Sequence, residues 1–200
     1  AFANVWILKE YEVKGFEIMQ NETIIDIGGH IGLFALYASL KCPEGKVISV
    51  EPHPQNFLLL KENMQNNNFL KTKIVNKAII NSNKDIELFI DSQDDSAHSI
   101  HGTGNNSIQI KGTTLKDIMQ DNQISNCNML KMDCEGSEFE IIESLSDEEV
   151  LQIEKICLEY HIKDNDSLNL DNLRNRLKKI GYNVNITPTN DFLGMLYAKK

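Results

Sequence analysis

The sequence predicts an α/β domain built on a doubly wound, mostly parallel sheet of seven strands, finished by a C-terminal antiparallel hairpin. Three observations predict it. Short β-branched runs alternate with helix-length segments along most of the 200 residues, as expected of strands joined by helical crossovers. Three glycines fall within five residues after the first such run, in "IIDIGGHIG" (24–32), where a sheet of this kind turns into its first helix. The last two runs are separated only by residues around "TPTND" (187–191), too few for a helical crossover, so they should fold back on each other.

Taken in order, the strand-like runs are "TIIDI" (23–27), "KVISVE" (46–51), "KIVN" (73–76), "NMLKMD" (128–133), "EKICLEY" (154–160), "NVNIT" (183–187) and "LGMLYA" (193–198). Each is short, apolar or alternating, and bounded by polar or turn residues. The helical candidates between them are 31–41, 54–66, 114–121, 137–145 and 168–180, the last ending at Gly181 as a C-cap. Between 81 and 111 the pattern loosens. Two further strands, "IELFI" (86–90) and "SIQIKG" (107–112), flank the polar stretch 91–106, which has too little apolar content to bury itself.

With 41% hydrophobic residues and no Pro, Gly or Ser tract to divide the chain, residues 1–200 are expected to form one domain with one well-filled core. No apolar run approaches the roughly 18 residues that a membrane span requires. The chain opens at Ala1 without an initiator Met, which leaves room for a removed upstream segment. A net charge of −9 would repel a polyanion, and the only basic cluster, "LRNRLKK" (173–179), reads as the solvated face of a helix, so nucleic acid is not expected as a partner. Cys42, Cys127, Cys134 and Cys157 lack C-x-x-C or zinc spacing. They read as reduced thiols of a cytoplasmic protein.

The glycine-rich turn carries the first functional signal. Gly28, Gly29 and His30 make the turn, where missing Cβ atoms allow positive φ and close approach of a ligand. Backbone N–H groups at the start of the next helix attract an anionic group, and Gly32, one turn in, is expected to let helix and strand pack closely. Asp26 before the first glycine suits a ligand that carries a cationic amine as well as a carboxylate. Glu51, closing the second strand in "VISVEPHP", would converge on the same crevice and accept hydrogen bonds from both hydroxyls of a ribose; otherwise it is a capping acid ahead of Pro54. Asn76, closing the third strand, either approaches an adenine ring or caps a turn.

These residues resemble the FkbM-type S-adenosylmethionine-dependent methyltransferases. The resemblance rests on "IDIGGHIGLFALYAS" (25–39), "VISVEPHPQNFLLLKENM" (47–64), "VNKAI" (75–79), "TTLKDIM" (113–119), "LKMDCEGSEFEIIESL" (130–145) and "CLEYH" (157–161), of which "KMDCEGSEFEII" is the most particular to the family. It implies the class I methyltransferase fold, Rossmann-like and finished by an antiparallel hairpin. It implies S-adenosyl-L-methionine as cofactor, bound by Asp26, Gly28, Gly29, His30, Gly32, Glu51, Pro52, Asn76 and Asp133. It also implies O-methylation of a hydroxyl on a sugar, glycan or other natural-product small molecule. His30 stands where the family commonly has Asn, and Lys116 where an acid is usual.

Asp133, Glu135 and Glu138 crowd the end of the fourth strand. Such proximity raises at least one carboxylate pKa unless a cation or donor compensates. One of them is a candidate general base for the acceptor hydroxyl, or Asp133 holds the methionine amine while the glutamates position the acceptor; a hard cation such as Mg²⁺ among them is a third reading. Glu138 is equally explained as an acid favouring a helix N-terminus. His161 follows Glu159 on one face of the fifth strand, so the pair reads as a base and its orienting acid. His53, His98 and His101 are expected to be exposed, His101 with a possible acceptor contact. Two rival classes remain. An NAD-dependent oxidoreductase lacks support because "GGHIG" does not fit G-x-G-x-x-G. A catalytically silent binding module is disfavoured by the converging acids Asp26, Glu51 and Asp133.

Overall fold

Strand β1 (Thr23–Ile27) leads into helix α1 (Leu33–Lys41), β2 (Lys46–Val50) into α2 (Pro54–Asn66), and β3 (Lys73–Val75) follows. After β4 (Ala78–Ile79), β5 (Asp85–Phe89) and β6 (Ser107–Thr113) come α3 (Leu115–Asp121), β7 (Cys127–Met132), α4 (Glu138–Glu143) and α5 (Asp147–Val150). The chain ends with β8 (Ile153–His161), α6 (Ser167–Lys179), β9 (Asn183–Pro188) and β10 (Leu193–Lys199), and a π-helical turn, Ala3–Ile7, precedes β1. This computed structural model describes residues 2–69, 71–90, 106–162 and 167–200. His98, His101 and nearly all of the polar stretch 91–106 lie outside the described residues.

The main sheet has seven strands in the order β3-β2-β1-β7-β8-β10-β9. Neighbours are parallel except where β10 runs antiparallel to both β8 and β9. The expected C-terminal hairpin is therefore β9–β10, and β10 is the reversed strand. A second sheet, β4-β6-β5, contains both strands expected in the loosened region, paired antiparallel as β5 and β6.

Alternation along the strands divides the core between the two faces. Ile25, Ile27, Ile48, Val50, Leu130 and Met132 pack on one face under α3, α4 and α6. On the other, Ile24, Val47, Met129 and Cys157 pack with Phe34 and Tyr37 of α1 and with Val5, Tyr11 and Phe16 of the N-terminal segment. Among the described residues no helix is long and apolar enough to cross a membrane.

Two element ends differ from expectation in ways that matter for the site. Helix α1 starts at Leu33, because Gly32 is its N-cap in the left-handed region, φ 90°. Gly32 thus closes the turn, and a Cβ there would meet Leu60 and Met64 of α2 at 3.3 Å; the close packing it permits is between helices. Strand β2 stops at Val50, so Glu51 stands just beyond it. The C-terminal ends of β2, β1, β7 and β8 lie side by side, and strand order reverses between β1 and β7. That reversal is where an open α/β sheet forms its ligand crevice.

Candidate active site

A cleft of about 270 Å³ opens at this edge, near the lower end of the range usual for small-molecule sites, roughly 300–1,000 Å³. Gly28, Gly29 and His30 from the β1–α1 turn form one wall, and Glu51 and Pro52 extend it after β2. Ala78, Ile79 and Leu88 supply an apolar slot beside Lys77. At the far end stand Asp133, Cys134 and Glu135 after β7, with Glu159 from β8. Asn4, Val5, Glu10 and Tyr11 close that end from the N-terminal segment. Sequence periodicity missed Glu10 and Tyr11 because residues 8–22 form neither helix nor strand.

The turn is held by backbone packing as much as by hydrogen bonds. Gly28 has φ 77°, and a Cβ there would lie 1.7 Å from the Asp133 carbonyl oxygen. Its missing side chain admits the end of β7. His30 also adopts a positive φ, 46°, and its N–H donates to Glu51 Oε2 at 2.7 Å. The other carboxylate oxygen of Glu51 accepts the His53 N–H at 2.8 Å. Burial pushes the Glu51 carboxyl up to about 7, against the lowering pull of those two N–H donors and Lys131.

Asp26 does not line the cleft. It is fully buried in mid-sheet, its carboxylate paired with Lys131 Nζ at 3.0 Å and accepting the Ser49 hydroxyl at 2.7 Å. Lys131 also donates to the Gly28 carbonyl at 2.8 Å. Asp26 therefore holds the glycine turn through Lys131. Asn76 likewise does not line the cleft: its amide donates to the Glu51 and Pro52 carbonyls at 2.8 and 2.9 Å. It caps the turn that aims Glu51. His53 is buried, not exposed, and its Nδ1 caps α2 by accepting the Asn56 N–H at 3.5 Å.

At the acidic end the Tyr11 hydroxyl donates to Asp133 Oδ2 at 3.1 Å and lies 3.4 Å from Glu159 Oε2. Burial, then the charges of Asp133 and Glu159, push the Tyr11 phenol well up. Burial and the Asp133 charge push the Glu159 carboxyl up to about 7, with His161 pulling the other way. Glu138, the first residue of α4, is fully buried and accepts the Cys134 N–H at 2.9 Å and the Gly136 N–H at 3.0 Å. Burial opposes its charge, but His161, and then its own N–H and that of Cys134, outweigh burial and hold the carboxyl below its ordinary value.

His161 is not among the residues that line the cleft and stands beside Glu135, which does line it. Its Nδ1 faces Glu138 Oε1 at 3.3 Å and its Nε2 faces Glu135 Oε2 at 3.4 Å. Burial opposes protonation, yet Glu138, Glu135 and Asp133 raise the imidazole to about 9. The cleft thus brings together Gly28, Gly29, His30, Glu51, Pro52, Asp133, Glu135 and Glu159, and its lining does not include Asp26, Gly32, Asn76 or His161. The functional neighbours that sequence reasoning missed are Tyr11 and Lys131. Lys131 was visible as the one cation inside the apolar run "NMLKMD".

Comparison with known proteins agrees with this architecture. A family model described as the methyltransferase FkbM domain matches residues 26–184. A curated protein named methyltransferase 1, from Beauveria bassiana, is 24% identical over 176 residues, spanning 78% of this chain and 70% of that protein. The solved structure of methyltransferase FkbM from Methylobacillus flagellatus superposes with a TM-score of 0.67 at 13% identity, over 98% of this chain and 47% of that one. Fibrillarin from Aeropyrum pernix, solved with natively bound S-adenosyl-L-methionine, superposes with a TM-score of 0.55 at 14% identity, over 96% and 73% of the two chains.

Proposed function

The chain belongs to the FkbM methyltransferase family, and from that premise we propose that it uses S-adenosyl-L-methionine to methylate a hydroxyl of a sugar, glycan or other natural-product small molecule. The observation that carries this reading is the charge of the cleft. Five acids line it, Glu10, Glu51, Asp133, Glu135 and Glu159, against Lys77 and Lys131, and Lys131 is already paired with Asp26. Such a lining favours a cofactor with a sulfonium and an ammonium. It opposes the pyrophosphate of a dinucleotide, which weighs against the oxidoreductase reading.

The residues present suit the cofactor. Each Glu51 oxygen accepts one backbone N–H and keeps a lone pair for a ribose hydroxyl. Pro52, Ala78, Ile79 and Leu88 offer an apolar slot for a flat base. Asp133 and Glu159, bridged by Tyr11, provide negative charge for the amino-acid end and the sulfonium. When bound, the cofactor supplies a methyl group on a positively charged sulfur, transferable in line to an oxygen nucleophile.

The chain's own work is positioning and proton removal. Asp133 and Glu159 face the cleft, so one of them takes the acceptor proton as the methyl moves. His161, behind the wall, orients Glu135 and Glu138. The test is calorimetric titration with S-adenosylhomocysteine, with NAD⁺ alongside. Saturable binding of the former alone is expected; binding of NAD⁺ alone would overturn the reading.

A further inference from the structure

Behind the acidic end of the cleft, three side chains from different segments converge. Asp133 follows β7, Glu135 stands on the loop before α4, and His161 ends β8. One ligand atom from each lies within 4.8 Å of the others. The Glu135 Oε2 to His161 Nε2 separation is 3.4 Å, close to the spacing of two adjacent ligands at roughly 2.1 Å from one ion. Sequence reasoning considered Glu138 beside Asp133 and Glu135; the geometry replaces it with His161.

Glu138 provides the independent observation. It is fully buried, outside the triad, and its Oε1 lies 3.3 Å from His161 Nδ1. A metal-ligating histidine almost always gives its second ring nitrogen to a carboxylate or carbonyl, which fixes the tautomer and aims the other nitrogen at the ion. Glu138 stands in that position: it holds the Nδ1 proton, so an ion that displaces the Nε2 proton from between His161 and Glu135 would meet a ring already aimed at it. The same carboxylate accepts the Cys134 and Gly136 N–H groups, so it fixes the loop that carries Glu135 as well as the ring that faces it.

We infer that Asp133, Glu135 and His161 form a site for one divalent cation, with Glu138 as its orienting carboxylate. The inference rests on the proposed cleft, because Asp133 and Glu135 also line it, so an ion held there would sit at the edge of the cleft where the acceptor is proposed to bind. Three protein ligands with open positions are the pattern of a catalytic site, not a closed structural one. One imidazole among two carboxylates favours a transition cation such as Mn²⁺ over Ca²⁺, which takes all-oxygen shells. An acceptor hydroxyl bound there would lose its proton more readily, the proton passing to Glu159 and the oxygen taking the methyl.

The test uses the full chain, stripped with EDTA, titrated with MnCl₂ by calorimetry at pH 8 and by Mn²⁺ paramagnetic resonance. S-adenosylhomocysteine is titrated into the same preparation. One equivalent of Mn²⁺ is expected, with affinity reduced at least tenfold in His161→Ala and in Glu135→Gln and about 10–100-fold in Glu138→Gln. Retained S-adenosylhomocysteine binding in those variants shows that they fold. No saturable Mn²⁺ binding by the wild-type chain, or binding unchanged in His161→Ala and Glu135→Gln, would overturn the site. S-adenosylhomocysteine binding without Mn²⁺ binding would sink the metal inference and leave the methyltransferase reading standing; Mn²⁺ binding without S-adenosylhomocysteine binding would do the reverse.

Discussion

Asp26 and Lys131 stand directly opposite each other in the β1–β7 register and form a buried ion pair at 3.0 Å. Burial opposes the Lys131 charge, but Asp26 and then Asp133 outweigh it and keep the ammonium charged. Its second bond, to the Gly28 carbonyl at 2.8 Å, connects the pair to the glycine turn. Removing one partner of a buried pair leaves the other uncompensated, at about 3–5 kcal/mol. Asp26→Asn is therefore expected to lower unfolding free energy by about 3 kcal/mol in urea titrations, and Asp26→Asn with Lys131→Met to recover part of that loss. A single variant as stable as wild type would mean that water reaches the pair.

That relationship also shows what the sequence made legible. Strand alternation, the glycine turn and the short final connection were enough for the sheet, because each is local. Asp26 was read as a ligand because its position before Gly28 is visible, whereas its partner is 105 positions away in another strand. His53 was expected outside because its neighbours are polar, yet capping α2 and bonding Glu51 draw it in. Tyr11 reaches Asp133 from a segment without periodicity. Contacts fixed by register and crossover lie beyond any window of sequence.

Glu51 supplies a pH signature. With the carboxyl pushed up to about 7 in the free cleft, part of it is protonated at neutral pH. Ribose hydroxyls donate to the ionised form and the sulfonium favours it further, so cofactor binding releases a proton below this pKa. Affinity for S-adenosylhomocysteine is expected to weaken as pH falls through 7, approaching about tenfold per unit. Glu51→Gln should bind weakly with a flat profile, and Glu51→Ala should abolish measurable binding. Tight binding by the alanine variant removes the ribose assignment.

The choice of base is decided by comparing variants. Glu159→Gln keeps the shape of the cleft and removes proton acceptance, so methyl transfer should fall by about 10²–10⁴-fold, far more than the loss of one cleft charge lowers S-adenosylhomocysteine affinity. Asp133→Asn should impair both, because in the proposed reading Asp133, which lines the cleft, meets the cofactor's charged end. His161→Ala should leave cofactor binding intact and slow transfer through loss of the Glu135 and Glu138 contacts. If Glu159→Gln turns over normally and Asp133→Asn does not, the base is Asp133.

Two glycines separate backbone strain from close packing. Gly15 and Gly28 both have positive φ, 88° and 77°, so alanine at either is strained by roughly 1–2 kcal/mol. A Cβ on Gly15 meets nothing within 4 Å, whereas on Gly28 it would fall 1.7 Å from the Asp133 carbonyl oxygen. Backbone cannot yield there as a flexible side chain would, because the Asp133 N–H is itself bonded to the Ile27 carbonyl at 3.1 Å. Gly15→Ala should lower the unfolding midpoint modestly and leave S-adenosylhomocysteine binding unchanged. Gly28→Ala must push the β1–α1 turn off the end of β7, moving His30 away from Glu51 and Asp133 away from the cleft. It should therefore lose both stability and binding, by more than strain alone accounts for. Equal effects of the two substitutions in paired urea melts and titrations would show that the turn does not dock on β7.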